Sequence, residues 1–252
     1  MPKLTSLLQK IFAFYALIVF LGFFLVLYPL LFISSNFRWS KTFNHWMFRI
    51  WGYSVFIFTG ILAKPTWRFK PSKGQAYVYC ANHTSYADIP TLYISIKQDL
   101  SFIGKSSLGK IPLFGYVYSR THILVDRKNA DSRREVIDRT KEAIKNGISP
   151  VFFPEGTIPK VGKRPEMIDF KDGAFITAID MQVPVVPVAI LNNYLILPDE
   201  DMFNVRIKPS KAIFLEPIQT TGMTLDDVNQ LKQKTFQAID KELKINELRH
   251  NS

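Results

Sequence analysis

Cysteine is nearly absent from this 252-residue chain, whose only one is Cys80. A lone cysteine excludes an internal disulfide, and without a companion at metal-ligand spacing it argues against structural zinc; a reducing compartment is permitted. Acidic residues are missing from the first 87 positions, so Asp88 is the first carboxylate in the chain. Gly104, Gly109 and Gly115 do not have the spacing of a phosphate loop, and no Lys-Ser or Lys-Thr pair follows at the right place, which argues against a nucleotide site. Internal repeats and low-complexity tracts are also absent. What is present is a chain with 47% hydrophobic residues, too apolar for disorder and long enough for one sizeable domain plus an appendage. Its net charge of +11 points to an anionic partner: nucleic acid, anionic membrane, or a phosphorylated or acidic substrate.

The acid-free beginning carries IFAFYALIVFLGFFLVLYPLLFI, an uncharged run from Ile11 to Ile33. That is membrane length, since a spanning helix needs about twenty apolar residues. A cleaved signal would have a shorter apolar core and a small-residue cleavage site, whereas Pro29 and bulky side chains continue to the end of this run, so a retained anchor is expected. A second apolar stretch, Met47 to Leu62, has Trp46, Arg49 and Trp51 near its start, a composition suited to lipid headgroups. Lys3 and Lys10 precede the first run and Arg38 and Lys41 follow it, so charge does not orient it; a re-entrant hairpin bent at Pro29 and two ordinary spans both fit. Residues 1–63 are expected to form this anchor of one or two helices. The basic, proline-containing KPTWRFKPSK then leads into a second domain over 64–252.

Beyond that connector, short β-prone runs alternate with helical patterns. AYVYC, SFIGK, HILV, SPVFF, VPVVPVAIL and AIFLEPI read as strands, and helices are expected near 88–97, 131–145 and 173–180. The alternation predicts an α/β domain with a mixed, largely buried sheet flanked by helices. Thr224 and Asp227 form a capping-box pattern ahead of a closing helix with an apolar stripe of Val228, Leu231, Phe236, Ile239 and Leu243.

Two stretches at strand ends combine reactive side chains. In NHTSYAD, His83 and Asp88 are five residues apart, roughly 140° around a regular helix, so they meet only if the helix begins between them. Pro90 belongs in a first helical turn, and Ser85 or Asp88 suits the N-cap, which leaves His83 in a turn free to fold back. An imidazole held by a carboxylate at one nitrogen can act as a general base through the other. A plain helix cap at Asp88 beside an ordinary loop histidine fits the same residues. In FPEGT, Glu155, Gly156 and Thr157 end an apolar strand, where α/β domains bind ligands and exposed amides can donate to an oxygen anion; a simple turn also fits. Arg127, at another strand end, suits a bidentate anion contact, or a surface pair with Asp126 or Asp131.

In this order the blocks NHTSYAD, GKSSLGKIPLFG with HILVDR, FPEGT and VPVVPVAI resemble the glycerophospholipid acyltransferase family, most closely the bacterial-type 1-acyl-sn-glycerol-3-phosphate acyltransferases. The resemblance covers about residues 77–190. It implies that His83 deprotonates a lysolipid hydroxyl, that Asp88 orients and charges the imidazole, and that the hydroxyl attacks an acyl thioester with no acyl-enzyme. Glu155, Gly156, Thr157 and Arg127, with Lys105 as a further candidate, would hold the acceptor head group. The acceptor would be lysophosphatidate, the product phosphatidic acid, and the donor acyl-coenzyme A or acyl-carrier protein, with no metal or other cofactor. A membrane-bound enzyme with its site toward the cytoplasm is implied. The chain departs from the family at Ile158, where an arginine usually follows FPEGT; Lys160, Lys163 and Lys171 lie near in sequence. An alternative acceptor is a lyso-amino-acid lipid, and another class of function is an idle membrane scaffold. Nucleic acid is not expected as a partner, because the basic excess gathers around the apolar anchor and not along an aromatic platform.

Overall fold

The computed structural model describes residues 2–37, 40–159, 166–201 and 203–251, so Arg38, Lys160 and Lys163 lie outside the described residues. Two helices come first, α1 (Pro2–Ser34) and α2 (Lys41–Phe58). There follow β1 (Ala63–Trp67), β2 (Val78–Ala81), α3 (Asp88–Ser95), β3 (Leu100–Lys105), α4 (Phe114–Thr121), β4 (Ile123–Val125) and α5 (Ala130–Lys145). The chain continues through β5 (Ser149–Phe152), α6 (Gly173–Asp180), β6 (Val185–Ile190), α7 (Asn193–Ile196), β7 (Ser210–Phe214) and α8 (Val228–Asn251).

The strands form one sheet in the order β1-β7-β6-β2-β5-β3-β4. Neighbours are parallel except β6 and β7, which makes the sheet mixed, as expected. Every residue of β2, β5 and β6 is buried, so these strands read as continuous apolar runs. The pleat divides their side chains between two layers. Tyr79, Val186, Val188 and Ile190 face a cluster with Phe24 and Leu31 of α1, Phe48 and Trp51 of α2 and Leu92 of α3. Val78, Cys80, Val185 and Ala189 face Ile144 of α5, Phe175 and Ala178 of α6 and Leu231 and Ile239 of α8. Packing is therefore continuous across residue 63.

β1 lies within the stretch that reads as a connector. It is an edge strand with three exposed central residues, so it has no apolar alternation to reveal it, and Pro65 is tolerated there. α4 also escapes sequence reading because FGYVYSRT is glycine-containing and aromatic, with little helical propensity. Its Gly115 is required by contact: a Cβ there would collide with the Gly109 carbonyl, as one at Gly104 would with Tyr118. These glycines serve close packing. The capping box of Thr224 and Asp227 forms, opening a 3-10 turn that leads into α8.

α1 and α2 make an antiparallel hairpin, with the Tyr15 hydroxyl donating to the Phe58 carbonyl (2.9 Å) and the Trp51 indole to Phe20 (2.9 Å). Among the described residues only α1 is long and apolar enough to cross a membrane, over Leu7–Ser34. It leaves Ile11, Phe14, Ile18, Val26 and Ile33 exposed. α2 differs from the headgroup-level reading of its start. Trp46 is exposed, but Trp51 is buried, and Arg49 is buried with its guanidinium donating to the Ile96 carbonyl (3.2 Å).

Candidate active site

Parallel strands bring their carboxyl ends to one edge, and that edge gathers the chemistry. Cys80 of β2 is in register with Phe152 of β5, Phe102 of β3 with Val151 of β5, and Lys105 of β3 with Val125 of β4. His83 therefore leaves β2 beside Glu155 leaving β5. Lys105 is two strands from β2 and Arg127 three, about 10 and 14 Å across the sheet at the usual strand spacing.

The turn from Asn82 to Asp88 is polar yet buried, except for His83, which is partly exposed, and Tyr86. Asn82 continues the sheet with its side chain, accepting from the Ile190 amide (2.7 Å) and donating to the Ile190 carbonyl (3.0 Å). Asp88, fully buried, opens α3, and its Oδ2 turns back to accept from His83 Nδ1 (2.9 Å) and the amides of Thr84 (2.8 Å) and Ser85 (3.0 Å). The expected meeting of His83 and Asp88 is thus observed. The expected cap is not: the N-cap is Ala87, without a side-chain bond. Asp88 closes the turn before the helix instead, and the Ser85 hydroxyl accepts from Ala87 and donates to Leu197. Pro90 falls in the first turn, where its missing donor costs nothing. With Nδ1 held by the carboxylate, Nε2 is the nitrogen left for a substrate, and it has no hydrogen-bond partner among the described residues.

Glu155 is buried and ties three segments together. Its Oε1 accepts from the His83 amide (2.8 Å) and its Oε2 from the Ile168 amide (3.2 Å). Burial pushes its pKa up to about 7, although both amides favour the charged form; nearby Asp88 pushes the same way as burial. Its carboxylate is thus occupied in fixing the backbone that carries His83. Gly156 adopts φ +77°, a conformation that favours glycine, and its amide closes onto the Phe153 carbonyl (2.9 Å), so it is not a free oxyanion donor. The amides of Thr157 and Ile158 have no partner among the described residues.

Cations surround this edge. Lys105 and Arg127 are exposed, and Arg127 forms no ion pair among the described residues: Asp126 accepts from the Lys128 amide, and Asp131 pairs with Arg134. Lys171 is held by its amide to the Pro154 carbonyl (2.8 Å), and its Cγ lies 4.0 Å from where a Cβ on Gly156 would be. It therefore flanks the turn that carries Ile158.

Two further residues complete the arrangement. The Asn193 side chain, fully buried, donates from Nδ2 to Asp88 Oδ1 (2.8 Å) and to the Thr91 hydroxyl (3.0 Å). Phe153 stacks on the His83 ring with centroids 3.9 Å apart. Asn193 follows the carboxyl end of β6, so the strand-end rule that singles out Glu155 also reaches it. Phe153 gives no such signal, being one of 21 phenylalanines.

A family model described as acyltransferase matches residues 65–191. A chloroplastic 1-acyl-sn-glycerol-3-phosphate acyltransferase of Arabidopsis thaliana is 32% identical over 203 residues, covering 78% of this chain and 55% of the relative. A chloroplastic protein of the same description from Brassica napus is 36% identical over 166 residues, 64% of this chain and 46% of the relative. The chain spans about half the length of these curated relatives. The crystal structure of the 1-acyl-sn-glycerophosphate (LPA) acyltransferase PlsC from Thermotoga maritima superposes with a TM-score of 0.73 over 98% of both chains, at 22% identity, and shows the same fold.

Proposed function

The chain belongs to the acyltransferase family, and on that premise we propose that it acylates the free hydroxyl of 1-acyl-sn-glycerol-3-phosphate, giving phosphatidic acid. The observation that carries this reading is the His83 imidazole, anchored through Nδ1 on buried Asp88 while Nε2 is unpaired beside a basic edge. His83 Nε2 accepts the hydroxyl proton as the oxygen attacks the thioester carbonyl. The carbon–sulfur bond then breaks, and the imidazolium returns its proton to the departing thiolate. Asp88 fixes the tautomer and compensates the transient positive charge. Glu155 holds the backbone under His83, and the amides of Thr157 and Ile158 are the donors available to the developing oxyanion.

Lys105, Arg127 and Lys171, with Gly156 and Thr157 shaping the approach, would meet the acceptor phosphate. The donor is an acyl thioester of coenzyme A or of acyl-carrier protein, either of which brings anions to a basic surface. Residues 1–63 would hold the enzyme at a bilayer, leaving 64–252 as the catalytic domain with its site toward the cytoplasm. Ile158 favours one second reading, a lyso-amino-acid lipid acceptor, since it withholds a charge where the resemblance leads one to expect arginine. Turnover of the purified protein with an acyl thioester and each of the two lysolipids decides between them. Turnover of neither would leave the scaffold reading.

A further inference from the structure

The segment joining the candidate site to α4 presents apolar side chains to the outside. After β3 ends at Lys105, the chain makes a 3-10 turn over Ser106–Lys110 and then exposes Ile111, Pro112 and Leu113. Ile111 is 45% and Leu113 47% exposed. Leu113 is not a relaxed loop residue. Its φ of 63° and ψ of −57°, with the Phe114 amide donating to the Pro112 carbonyl (2.7 Å), make a γ-turn of the rare, strained kind. Glycine would adopt this conformation more easily, yet a large apolar residue stands here.

The placement of α4 shows which way this turn faces. Phe114 packs on Phe24 of α1 (centroids 6.0 Å apart), Tyr116 stacks on Phe32 (4.6 Å), and Tyr116 and Arg120 both donate to the Asn36 side chain. α4 thus runs along the second half of α1, with its polar end at the polar end of that helix and the Ile111–Leu113 turn at the end facing the middle. There the apolar exposure of α1 continues through Leu21, Leu25, Val26 and Leu30. The nearest exposed charges in sequence, Lys105 and Lys110, are basic and suit anionic headgroups.

We propose that the Ile111–Leu113 turn is a second membrane-contacting element, inserting its side chains among lipid acyl chains beside α1 and bringing the bilayer surface to the segment that carries Lys105. This rests on α1 lying at a bilayer, as proposed above, and not on the catalytic assignment. Continuity with the apolar face of α1 selects lipid over a soluble partner as the occupant.

Cys80 is buried, and burial pushes its thiol pKa up, so a cysteine introduced at an exposed position is labelled selectively. Ile111→Cys and Leu113→Cys of the full chain, each carrying a nitroxide, are reconstituted in vesicles of phosphatidylcholine and phosphatidylglycerol. Val26→Cys on α1 and Leu225→Cys, exposed ahead of α8, serve as references. Collision of each label with dissolved oxygen is compared with collision with a water-soluble nickel chelate. Labels at 111 and 113 should follow the label at 26, with oxygen favoured several-fold, while the label at 225 favours the chelate. Labels at 111 and 113 that behave like 225 while 26 is in lipid would overturn the proposal. So would shielding from both reagents, which means cover by protein. If 26 itself favours the chelate, the membrane premise fails and takes this inference with it, leaving the acyl-transfer assay unaffected.

Discussion

The turn that carries His83 and the basic edge that faces it are built on opposite terms. Asn82, Ser85 and Asp88 in the turn and Asn193 of α7 beside it are buried, and their side chains bond to the backbone and to one another. Lys105, Arg127 and Lys171 are exposed, and none forms an ion pair among the described residues. A buried network cross-linked in this way holds its geometry before any ligand arrives, even with Thr84 Oγ1 and Asn193 Oδ1 unpartnered among the described residues. Long, solvated side chains hold none, so they gain order only when an anion comes. On the proposed reading, the fold fixes the base, whereas the cations that would meet the acceptor are left free to adjust.

The largest effect should therefore follow from touching the turn. His83→Ala is expected to lower kcat on the order of a thousandfold or more, with the far-ultraviolet spectrum and Tm nearly unchanged because the ring is partly exposed and packs mainly on Phe153. Asp88→Asn should fall almost as far. An amide cannot accept at one oxygen from an imidazole and two backbone amides while balancing an imidazolium charge. Since Asp88 is not the helix cap, cap equivalence does not protect this variant; near-normal turnover would break the comparison outright.

Glu155 joins the turn to the FPEGT loop and supplies a pH test. Its folded pKa, near 7, lies above the ordinary 4.5, so between those values the folded chain keeps a proton that the unfolded chain has lost. Stability contributed by the neutral acid is full below about pH 4.5 and is lost as pH rises through about 7. The loss is about 3 kcal/mol by linkage, as an order of magnitude. Buried His122, its pKa pushed down to about 3, makes stability rise with pH over part of this window, so denaturant unfolding is read as the difference between wild type and Glu155→Gln, which should slope downward from about pH 4.5 to 7. A flat difference would remove Glu155 as its source.

Asn193→Ala takes the donor from Asp88 Oδ1 and leaves a buried carboxylate oxygen short of a partner. Such a loss costs about 1–3 kcal/mol, so kcat should drop by roughly ten- to a hundredfold while the KM for both substrates moves little. Asn193→Asp should move the acidic limb of the pH–rate profile upward, because two carboxylates sharing a site resist double ionisation. A variant with lower Tm but an unmoved profile and kcat would make Asn193 a packing residue only.

How far each region could be read from sequence follows the same division. β2, β5 and β6 announce themselves because both faces are buried, whereas β1 leaves most of its residues in water. The meeting of His83 and Asp88 was legible because five residues and Pro90 determine where α3 can begin. Asn193 was not, being 105 residues from Asp88 in sequence and brought to it by the crossover from β2 to β6. Glu155 was legible as a site residue but not in its manner: only the fold shows both its oxygens on backbone amides.

The basic edge should give smaller, more selective effects. Arg127 sits at the end of β4, three strands from the strand that carries His83, and no carboxylate among the described residues holds it away from a ligand. Arg127→Ala should raise the KM for lysophosphatidate about tenfold, leaving kcat and the KM for the thioester nearly unchanged; a charge-assisted contact from a solvated arginine is worth little more. A drop in kcat comparable to that of His83→Ala would mean that the edge is as rigid as the turn.

Ile158→Arg should have the smallest effect, and it tests the boundary between the two regions. Ile158 is partly buried between exposed Thr157 and buried Pro159, and Lys171 already flanks this turn through its amide bond to the Pro154 carbonyl. An added guanidinium would share the acceptor phosphate with Lys171, so the two charges substitute for each other in part and do not add fully. Ile158→Arg alone should lower the KM for lysophosphatidate by no more than a few-fold. In a Lys171→Ala background, which first raises that KM, the same substitution should restore most of the loss. Recovery in the double variant without gain in the single one would identify Lys171 as the residue that covers for the absent arginine. If Ile158→Arg instead depresses turnover of lysophosphatidate and of a phosphate-free lysolipid alike, position 158 belongs with the rigid turn, and its isoleucine is there for packing.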